Sequence, residues 1–202
     1  LPPDMRRFVD DKLQYSVSLI KGIDDPKNPE HQRIVADIFW RLQQGENLNY
    51  MEIAHSQVSS LVRNFVVKYA DDIGFDYAAY KPLDHNPRKH VFFRIYDRDN
   101  GRMQHLSLFA RLLLIELGNG PAETRDAQVA KLFKDTQVPD GIGNESYETN
   151  PAAKSLLRHL QAFYEIFKDD PMPDQHNGMK EFRIEYFVIS MYLLLRHLLK
   201  HY

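Results

Sequence analysis

Arg41 has the side chain and the setting that an anion contact would need. It lies between the apolar residues Trp40 and Leu42, near the end of a periodic segment. A planar guanidinium can hold a phosphate or a carboxylate through two hydrogen bonds. Capping of the helix end, or an ion pair with Glu46 or Glu52, is the alternative role. The sequence leaves both roles open.

A second group of basic residues follows farther along the chain. It comprises Arg88, Lys89, His90, Arg94, Arg98, Arg102 and His105. Contacts to nucleic-acid phosphates require such a cluster, because Lys and Arg neutralise the backbone charge. Interleaved acidic residues dilute it, namely Asp84, Asp97 and Asp99. A solvated surface is therefore the favoured interpretation, and Arg88, Lys89 and Arg94 are the candidate nucleotide or DNA contacts in this stretch.

The sequence lacks the motifs of several common catalytic sites. It contains neither the G-x-x-x-x-G-K-[ST] nor the G-x-G-x-x-G phosphate loop, and no G-x-S-x-G elbow. His197 and His201 are four residues apart but lack the glutamate of H-E-x-x-H. We expect these histidines to be solvated near a helix end, where the helix dipole favours positive charge. No catalytic residue and no metal site are predicted.

The segment that positions Arg41, residues 38–52, is predicted to form a helix, a glycine turn and a second helix. Apolar residues recur every four positions along the first helix, at Ile34, Ile38 and Leu42. Gly45 is placed for a left-handed turn after the last of them. Asn49 can cap the next helix, and Glu52 can reach back to complete a capping box.

This segment resembles the I-F-x-R-L-N-x-G-x-x-L-[ST/N]-x-x-E signature of a prokaryotic family. That family contains the N-terminal domain of GmrSD-type modification-dependent restriction endonucleases and related phage-defence proteins. The matching residues are Ile38, Phe39, Arg41, Leu42, Gly45, Leu48, Asn49 and Glu52. Gln43 stands where the family usually has Asn, and a single glycine follows. The likeness continues more weakly in a strand-like lead-in and in Arg102-Met103 before a Leu-rich helix. Gln43 and Asn49 complete the set of candidate nucleotide or DNA contacts.

The resemblance implies a role within a larger protein. In the family, a ParB-like half carries an Asp-Gly-Gln-Gln-Arg type motif and hydrolyses nucleotide, and an HNH-type nuclease domain often follows. Neither that motif nor an HNH-type histidine cluster occurs in these 202 residues. The implied role is the helical C-terminal half, non-catalytic and without a cofactor of its own. Its partners would be the upstream ParB-like half and a downstream nuclease domain, with nucleoside triphosphate and DNA bound by the parent protein.

Two other classes of function stay open. One is a helical interaction module that binds a protein partner through an exposed apolar groove. The other is an all-α hydrolase whose His and Asp residues converge only in space. Its site would bring together several of Asp71, Asp72, His85, His90 and His105.

The composition is that of an ordinary globular domain. The chain is 43% hydrophobic and 27% charged, and its net charge of -2 gives no attraction to nucleic acid or membrane. Because it has no cysteine, disulfides and thiolate metal sites are excluded, and a cytoplasmic location is favoured. The longest apolar stretch, residues 186–195, is about half of the ~20 residues that a membrane span needs. The chain begins with Leu-Pro-Pro rather than Met, so a fragment of a longer protein is expected.

The predicted fold is mainly α, with six to seven helices around a central apolar helix and one N-terminal strand or extended segment. The strand is predicted at residues 10–22, where a loose helical face is the alternative. Helices are predicted at residues 29–43, 50–71, 88–96, 103–117, 122–136, 151–168 and 180–201. Residues 103–117 are apolar nearly all round, which predicts the central position. Phe92 and Phe93 are expected in the core rather than in a base-stacking platform.

Overall fold

The computed structural model describes residues 22–23, 25, 28–42, 48–79, 81–96, 98–168 and 181–201. This part of the chain is mainly helical, as predicted. Its seven α-helices are α1 (Pro29–Leu42), α2 (Tyr50–His55), α3 (Leu61–Ala70), α4 (Gln104–Leu117), α5 (Asp126–Asp135), α6 (Pro151–Phe167) and α7 (Glu185–His201). Most of the predicted N-terminal strand and the predicted Gly45 turn lie outside the described residues.

Helix α4 is the central element. Ten of its 14 residues are buried, and it packs against α3, α5 and α6. A helix that is apolar on all sides must be covered by neighbours on all sides, which is why this segment occupies the middle. The predicted central helix is therefore confirmed.

The predicted single helix over residues 50–71 is wrong, because the chain leaves the helix after His55 and starts again at Leu61. The Ser56 hydroxyl bonds to the Ile53 carbonyl oxygen at 2.7 Å. Ser60 caps α3 by accepting from the Arg63 N–H at 3.1 Å, and its hydroxyl meets that of Thr136 at 2.9 Å. Serine side chains compete in this way with the helical backbone hydrogen bonds, so two short helices replace one long helix.

The predicted helix over residues 88–96 is also wrong. A 3-10 turn forms only at Val91–Arg94. His90 has an extended backbone, and its N–H bonds to the Tyr69 carbonyl oxygen at 2.8 Å instead of continuing a helix. Its ring Nδ1 accepts from the Phe92 N–H at 3.2 Å. Phe92 and Phe93 are both buried, which confirms their place in the core.

The remaining segments follow the prediction with shifted ends. The loop before Pro87 contains a small antiparallel hairpin of β1 (Phe75–Asp76) and β2 (Lys81–Pro82). Helix α5 starts at residue 126 rather than 122, and α7 starts at residue 185 after a 3-10 turn at Glu181–Arg183. Phe182 in that turn packs edge-to-face against Phe167 of α6, with ring centroids 5.1 Å apart. Among the described helices, none is both long and apolar enough to cross a lipid bilayer.

Candidate functional site

The capping box of the family-like signature is formed. The Asn49 side-chain oxygen accepts from the N–H groups of Met51 at 2.8 Å and Glu52 at 2.9 Å. The Glu52 carboxylate accepts from the Asn49 N–H at 2.7 Å. Both predicted halves of the box are therefore confirmed, and they fix the start of α2.

Asn49 and Glu52 of the capping box are also hydrogen-bonded to Arg102, which lies just before α4. The Arg102 guanidinium donates to Glu52 through Nε at 3.3 Å and through an Nη at 3.2 Å. The Asn49 amide nitrogen donates to the Arg102 carbonyl oxygen at 3.0 Å. The hydrogen bond from Arg102 lowers the pKa of Glu52 despite partial burial. Glu52, which the sequence offered as a partner for Arg41, thus pairs with Arg102.

This contact stabilises an unusual backbone. Arg102 and Met103 have φ values of 54° and 61°, so two successive residues with a Cβ are left-handed. Such a conformation costs roughly 1–2 kcal/mol per residue relative to the right-handed one. The bonds from Asn49 and Glu52 to Arg102 offset part of that cost and fix the direction in which α4 begins.

Tyr50 extends the same contact onto α4. Its hydroxyl is hydrogen-bonded to the Ser107 hydroxyl and accepts from Arg111 at 3.3 Å. Arg111 also pairs with Asp126 of α5 at 2.7 Å and with Glu185 of α7 at 3.1 Å. Arg111 therefore joins α4 to α2, α5 and α7. We call the whole set the signature junction: Asn49, Tyr50, Glu52, Arg102, Ser107, Arg111, Asp126 and Glu185.

The electrostatics of the junction suit positioning rather than group transfer. Burial raises the pKa of Glu185, although the positive charge of Arg111 opposes the shift. Arg111 faces two carboxylates, and Glu52 is paired with Arg102. Because these charges are already partnered, the junction can align α2 with the central helix.

The described candidate contacts from the sequence have different partners. Asn49 is engaged in the capping box. Arg88 donates to Glu145 at 2.5 Å. Lys89 bonds to Asp72 and to His105, and it lies 5.3 Å from the centre of the Phe93 ring. Arg88 and Lys89 therefore pair with different acidic residues and do not share a partner among these contacts.

Of the other three candidates, Arg94 and Arg41 lie at the ends of helical segments and Gln43 lies beyond the described part of the chain. Arg94 is exposed in the 3-10 turn at Val91–Arg94. Arg41 belongs to the last turn of α1, and its side chain is not among the described groups. Gln43 lies outside the described residues.

Two of the aspartates named for the hydrolase alternative, Asp71 and Asp72, lie close enough to His105 to act on its charge. His55 lies 3.4 Å from Asp71. Asp72 meets His105 through Lys89, which contacts His105 Nδ1 at 2.8 Å. His105 Nε2 lies 2.6 Å from the Arg98 carbonyl oxygen, so Nε2 carries the proton and Nδ1 accepts from Lys89. Burial lowers the pKa of both His55 and His105, which favours their neutral forms.

Two further histidines were named for that alternative. His90 caps the 3-10 turn at Val91–Arg94, and His85 lies in an exposed loop. His197 and His201 lie together at the end of α7, with ring centroids 4.6 Å apart. Across the described ranges, no three or more His, Cys, Asp or Glu residues are arranged to hold a metal ion.

A second polar cluster, around Glu116, is largely buried. One Glu116 carboxylate oxygen accepts from the Tyr192 hydroxyl at 2.6 Å, from His159 Nδ1 at 2.9 Å and from Arg196 Nε at 3.1 Å. Burial alone would raise the pKa of Glu116, but the hydrogen bonds from His159 and Tyr192 lower it to about 2. The cluster joins α4 to α6 and α7. Because it is buried between these helices, we expect it to stabilise the fold.

Sequence reasoning missed Arg111 and Glu116. A signal was present, because they are the only Asp, Glu, Lys or Arg residues in the predominantly apolar stretch of residues 104–117. A charge on a helix that must be buried needs a partner from another element.

Comparisons of the chain with known protein families, with curated proteins and with solved structures gave no match.

Proposed function

We propose that the chain is the non-catalytic helical part of a GmrSD-like, modification-dependent DNA restriction or phage-defence protein. In this role it completes a nucleotide pocket and couples that pocket to DNA sensing or cleavage. The observation that supports the proposal is the contact of Asn49 and Glu52 with Arg102. It joins the two segments that resemble the family, although about fifty residues separate them in sequence.

The junction gives this coupling a physical route. Helix α1, which carries Arg41, precedes the capping box, and the box holds the left-handed start of α4. Arg111 then links α4 to α5 and α7. A ligand that shifts the start of α2 would therefore act on the central helix through the side chains of Asn49, Glu52 and Arg102.

The proposal is tested first in the complete gene and its product. We expect an Asp-Gly-Gln-Gln-Arg type motif upstream of this chain, and its absence would refute the family assignment. In the complete protein, Glu52→Gln should lower nucleotide-dependent DNA cleavage about tenfold while nucleotide binding is retained. Glu165→Gln, at an exposed position on α6, is the matched control and should leave cleavage unchanged.

The chain alone should neither hydrolyse ATP or GTP nor cut DNA, because the sequence has no phosphate loop and no nuclease cluster. Turnover is measured by phosphate release and plasmid nicking with the purified 202-residue chain. Activity that persists through several purification steps would contradict the non-catalytic role.

One observation favours the interaction-module alternative. Leu194 and Leu198 of α7 are exposed by 52% and 43% and lie one turn apart. An apolar pair at this spacing is typical of a helix that meets another helix. If the alternative is right, the double substitution Leu194→Glu and Leu198→Glu should abolish binding of a protein partner. If the restriction proposal is right, the same double substitution should leave nucleotide-dependent cleavage by the complete protein intact.

A further inference from the structure

One ring nitrogen of His55 lies between two groups of opposite charge. His55 is the last residue of α2, and its Nε2 is 3.4 Å from a guanidinium nitrogen of Arg63 and 3.4 Å from a carboxylate oxygen of Asp71. Arg63 belongs to the first turn of α3, whereas Asp71 directly follows the last residue of that helix. The two ends of α3 thus offer different partners to the same atom at the same distance.

The two contacts require different protonation states of His55. A guanidinium can only donate hydrogen bonds, so the contact with Arg63 needs an Nε2 without a proton. An ionised carboxylate can only accept, so a hydrogen bond to Asp71 needs an Nε2 that carries a proton. A single nitrogen cannot satisfy both partners at once. The proton on Nε2 therefore decides which partner the ring binds.

Arg63 is also held by groups other than the His55 ring. Its Nε donates to the His55 carbonyl oxygen at 2.9 Å. One Nη donates to the Tyr77 hydroxyl at 2.7 Å and to the Asn64 side-chain oxygen at 3.3 Å. Arg63 is only 7% exposed. Because these three bonds do not involve the His55 ring, we expect the ring rather than the guanidinium to move when the partner changes.

The surroundings of His55 allow its ring to exchange a proton with solvent. The side chains of His55 and Asp71 are 27% and 21% exposed. Among the described residues, Arg63 and Asp71 are the charged groups that act on His55. Burial lowers the pKa of His55 from 6.5, the hydrogen bond to Asp71 opposes this change, and the charge of Arg63 adds to it. The ring is therefore mainly neutral at pH 7 and gains its proton as the pH falls below 6.5.

We propose that His55 is a proton-controlled switch at the contact between α2 and α3. Without a proton, Nε2 accepts from Arg63 at the start of α3. With a proton, Nε2 donates to Asp71 at the end of α3. The change of partner alters how one end of the six-residue helix α2 is held. This inference stands independently of the proposed function, because the chain alone can be tested for it.

NMR of the histidine ring nitrogens tests the two states directly. The full 202-residue chain is labelled with nitrogen-15 and titrated from pH 8 to pH 4, and His55→Gln identifies the signals of His55. At pH 8 we expect the tautomer with the proton on Nδ1, which leaves Nε2 as an acceptor for Arg63. At low pH both ring nitrogens should carry a proton, and the Nε signal of Arg63 should titrate with the same midpoint. A proton on Nε2 at pH 8 would overturn the proposal.

Substitutions of the two partners should move the pKa of His55 in opposite directions. Asp71→Asn removes the charge that favours the protonated ring, so the measured pKa should fall. Arg63→Met removes the charge that disfavours the protonated ring, so the measured pKa should rise. A charge within about 4–6 Å typically changes a pKa by about 1–3, and we expect about 0.5 or more here because His55 and Asp71 are partly exposed.

Asp84→Asn and Arg33→Gln are the matched controls, because both residues are exposed and neither is among the charges that act on His55. Both should leave the midpoint of His55 unchanged. If Arg63→Met does not fold, Asp71→Asn and the tautomer at pH 8 decide the question together. The proposal is overturned if Asp71→Asn changes the midpoint no more than Asp84→Asn does, or if the two partner substitutions change it in the same direction.

Discussion

At the level of single residues, Glu116 is a buried charge whose removal should be costly. Its carboxylate receives donors from His159 on α6 and from Tyr192 and Arg196 on α7. Glu116→Ala would leave the Arg196 charge and two further polar groups without their acceptor. Because breaking a buried pair by removing one partner costs about 3–5 kcal/mol, we expect the free energy of unfolding to fall by that amount.

Urea denaturation at pH 7 measures this loss. Glu165→Ala provides the control, since Glu165 is exposed on α6 and should change the free energy of unfolding by less than about 0.5 kcal/mol. A loss below about 1 kcal/mol for Glu116→Ala would show that the cluster does not stabilise the core.

His90 should make stability depend on pH. Burial lowers its pKa from 6.5 to about 4, and its Nδ1 must stay unprotonated to accept from the Phe92 N–H. At pH 7 both the folded and the unfolded chain have neutral His90. As the pH falls below 6.5, the unfolded chain binds the proton first, so this contribution is lost between pH 6.5 and about 4.

The change is on the order of 3 kcal/mol. His90→Asn keeps a side-chain acceptor for the cap but does not titrate, so it should flatten this part of the pH profile. Thermal denaturation from pH 7 to pH 4 compares the two proteins. Identical slopes in that window would contradict the assignment to His90.

Residue-level prediction from the sequence succeeded where the interaction is local. The capping box was predictable because Asn49 and Glu52 are three residues apart on one turn. The pairing of Glu52 with Arg102 was not, because it depends on how a distant left-handed turn approaches α2. The partners of Glu116 lie on two other helices, and spacing along one chain carries no information about them.

At the level of elements, Asn49 determines whether α2 begins properly. This helix has only six residues, so it cannot be stable without its cap and its tertiary contacts. Asn49→Ala removes the cap and the bond to the Arg102 carbonyl oxygen. We expect the free energy of unfolding to fall by about 1–2 kcal/mol.

Asn49→Asp is the informative control for this change, because aspartate also accepts from the first N–H groups of a helix. It should retain most of the stability in the same denaturation experiment. Equal losses for alanine and aspartate would assign the effect to the Arg102 contact rather than to the cap.

The helix ends show what the sequence pattern could and could not predict. Helices α1, α4 and α6 were predicted to within one residue at each end, because their apolar periodicity or apolar content is strong and Pro29 and Pro151 mark two of the starts. The break between α2 and α3 was missed, since the apolar face continues across it. One contact at the break, between the hydroxyls of Ser60 and Thr136, joins residues 76 positions apart, which spacing along the sequence does not show.

At the level of the whole molecule, Arg41 is the residue that tests the proposed nucleotide pocket. A bidentate contact to phosphate contributes about 1.5–3 kcal/mol, and lysine keeps the charge but loses the two-pronged geometry. In the complete protein, Arg41→Lys should therefore weaken nucleotide binding about tenfold or more, while the 202-residue chain with the same substitution melts normally. Fluorescent-nucleotide titration and differential scanning calorimetry measure the two effects.

Arg41→Ala in the 202-residue chain separates the two roles of Arg41. If it lowers the melting temperature by several degrees, and nucleotide binding by the complete protein is unaffected, Arg41 is a structural cap. Arg41 would then no longer be a candidate for the nucleotide contact.

The two charges of α4 also limit how the molecule can move. Arg111 and Glu116 are five residues apart, which places them about 140° apart around the helix axis. Arg111 is held by α2, α5 and α7, and Glu116 is held by α6 and α7. Sliding α4 by one turn, or rotating it, would withdraw both charges from their partners at once. Helix α4 is therefore held in one register by charged contacts at two positions, so we expect it to move only together with the helices that hold it.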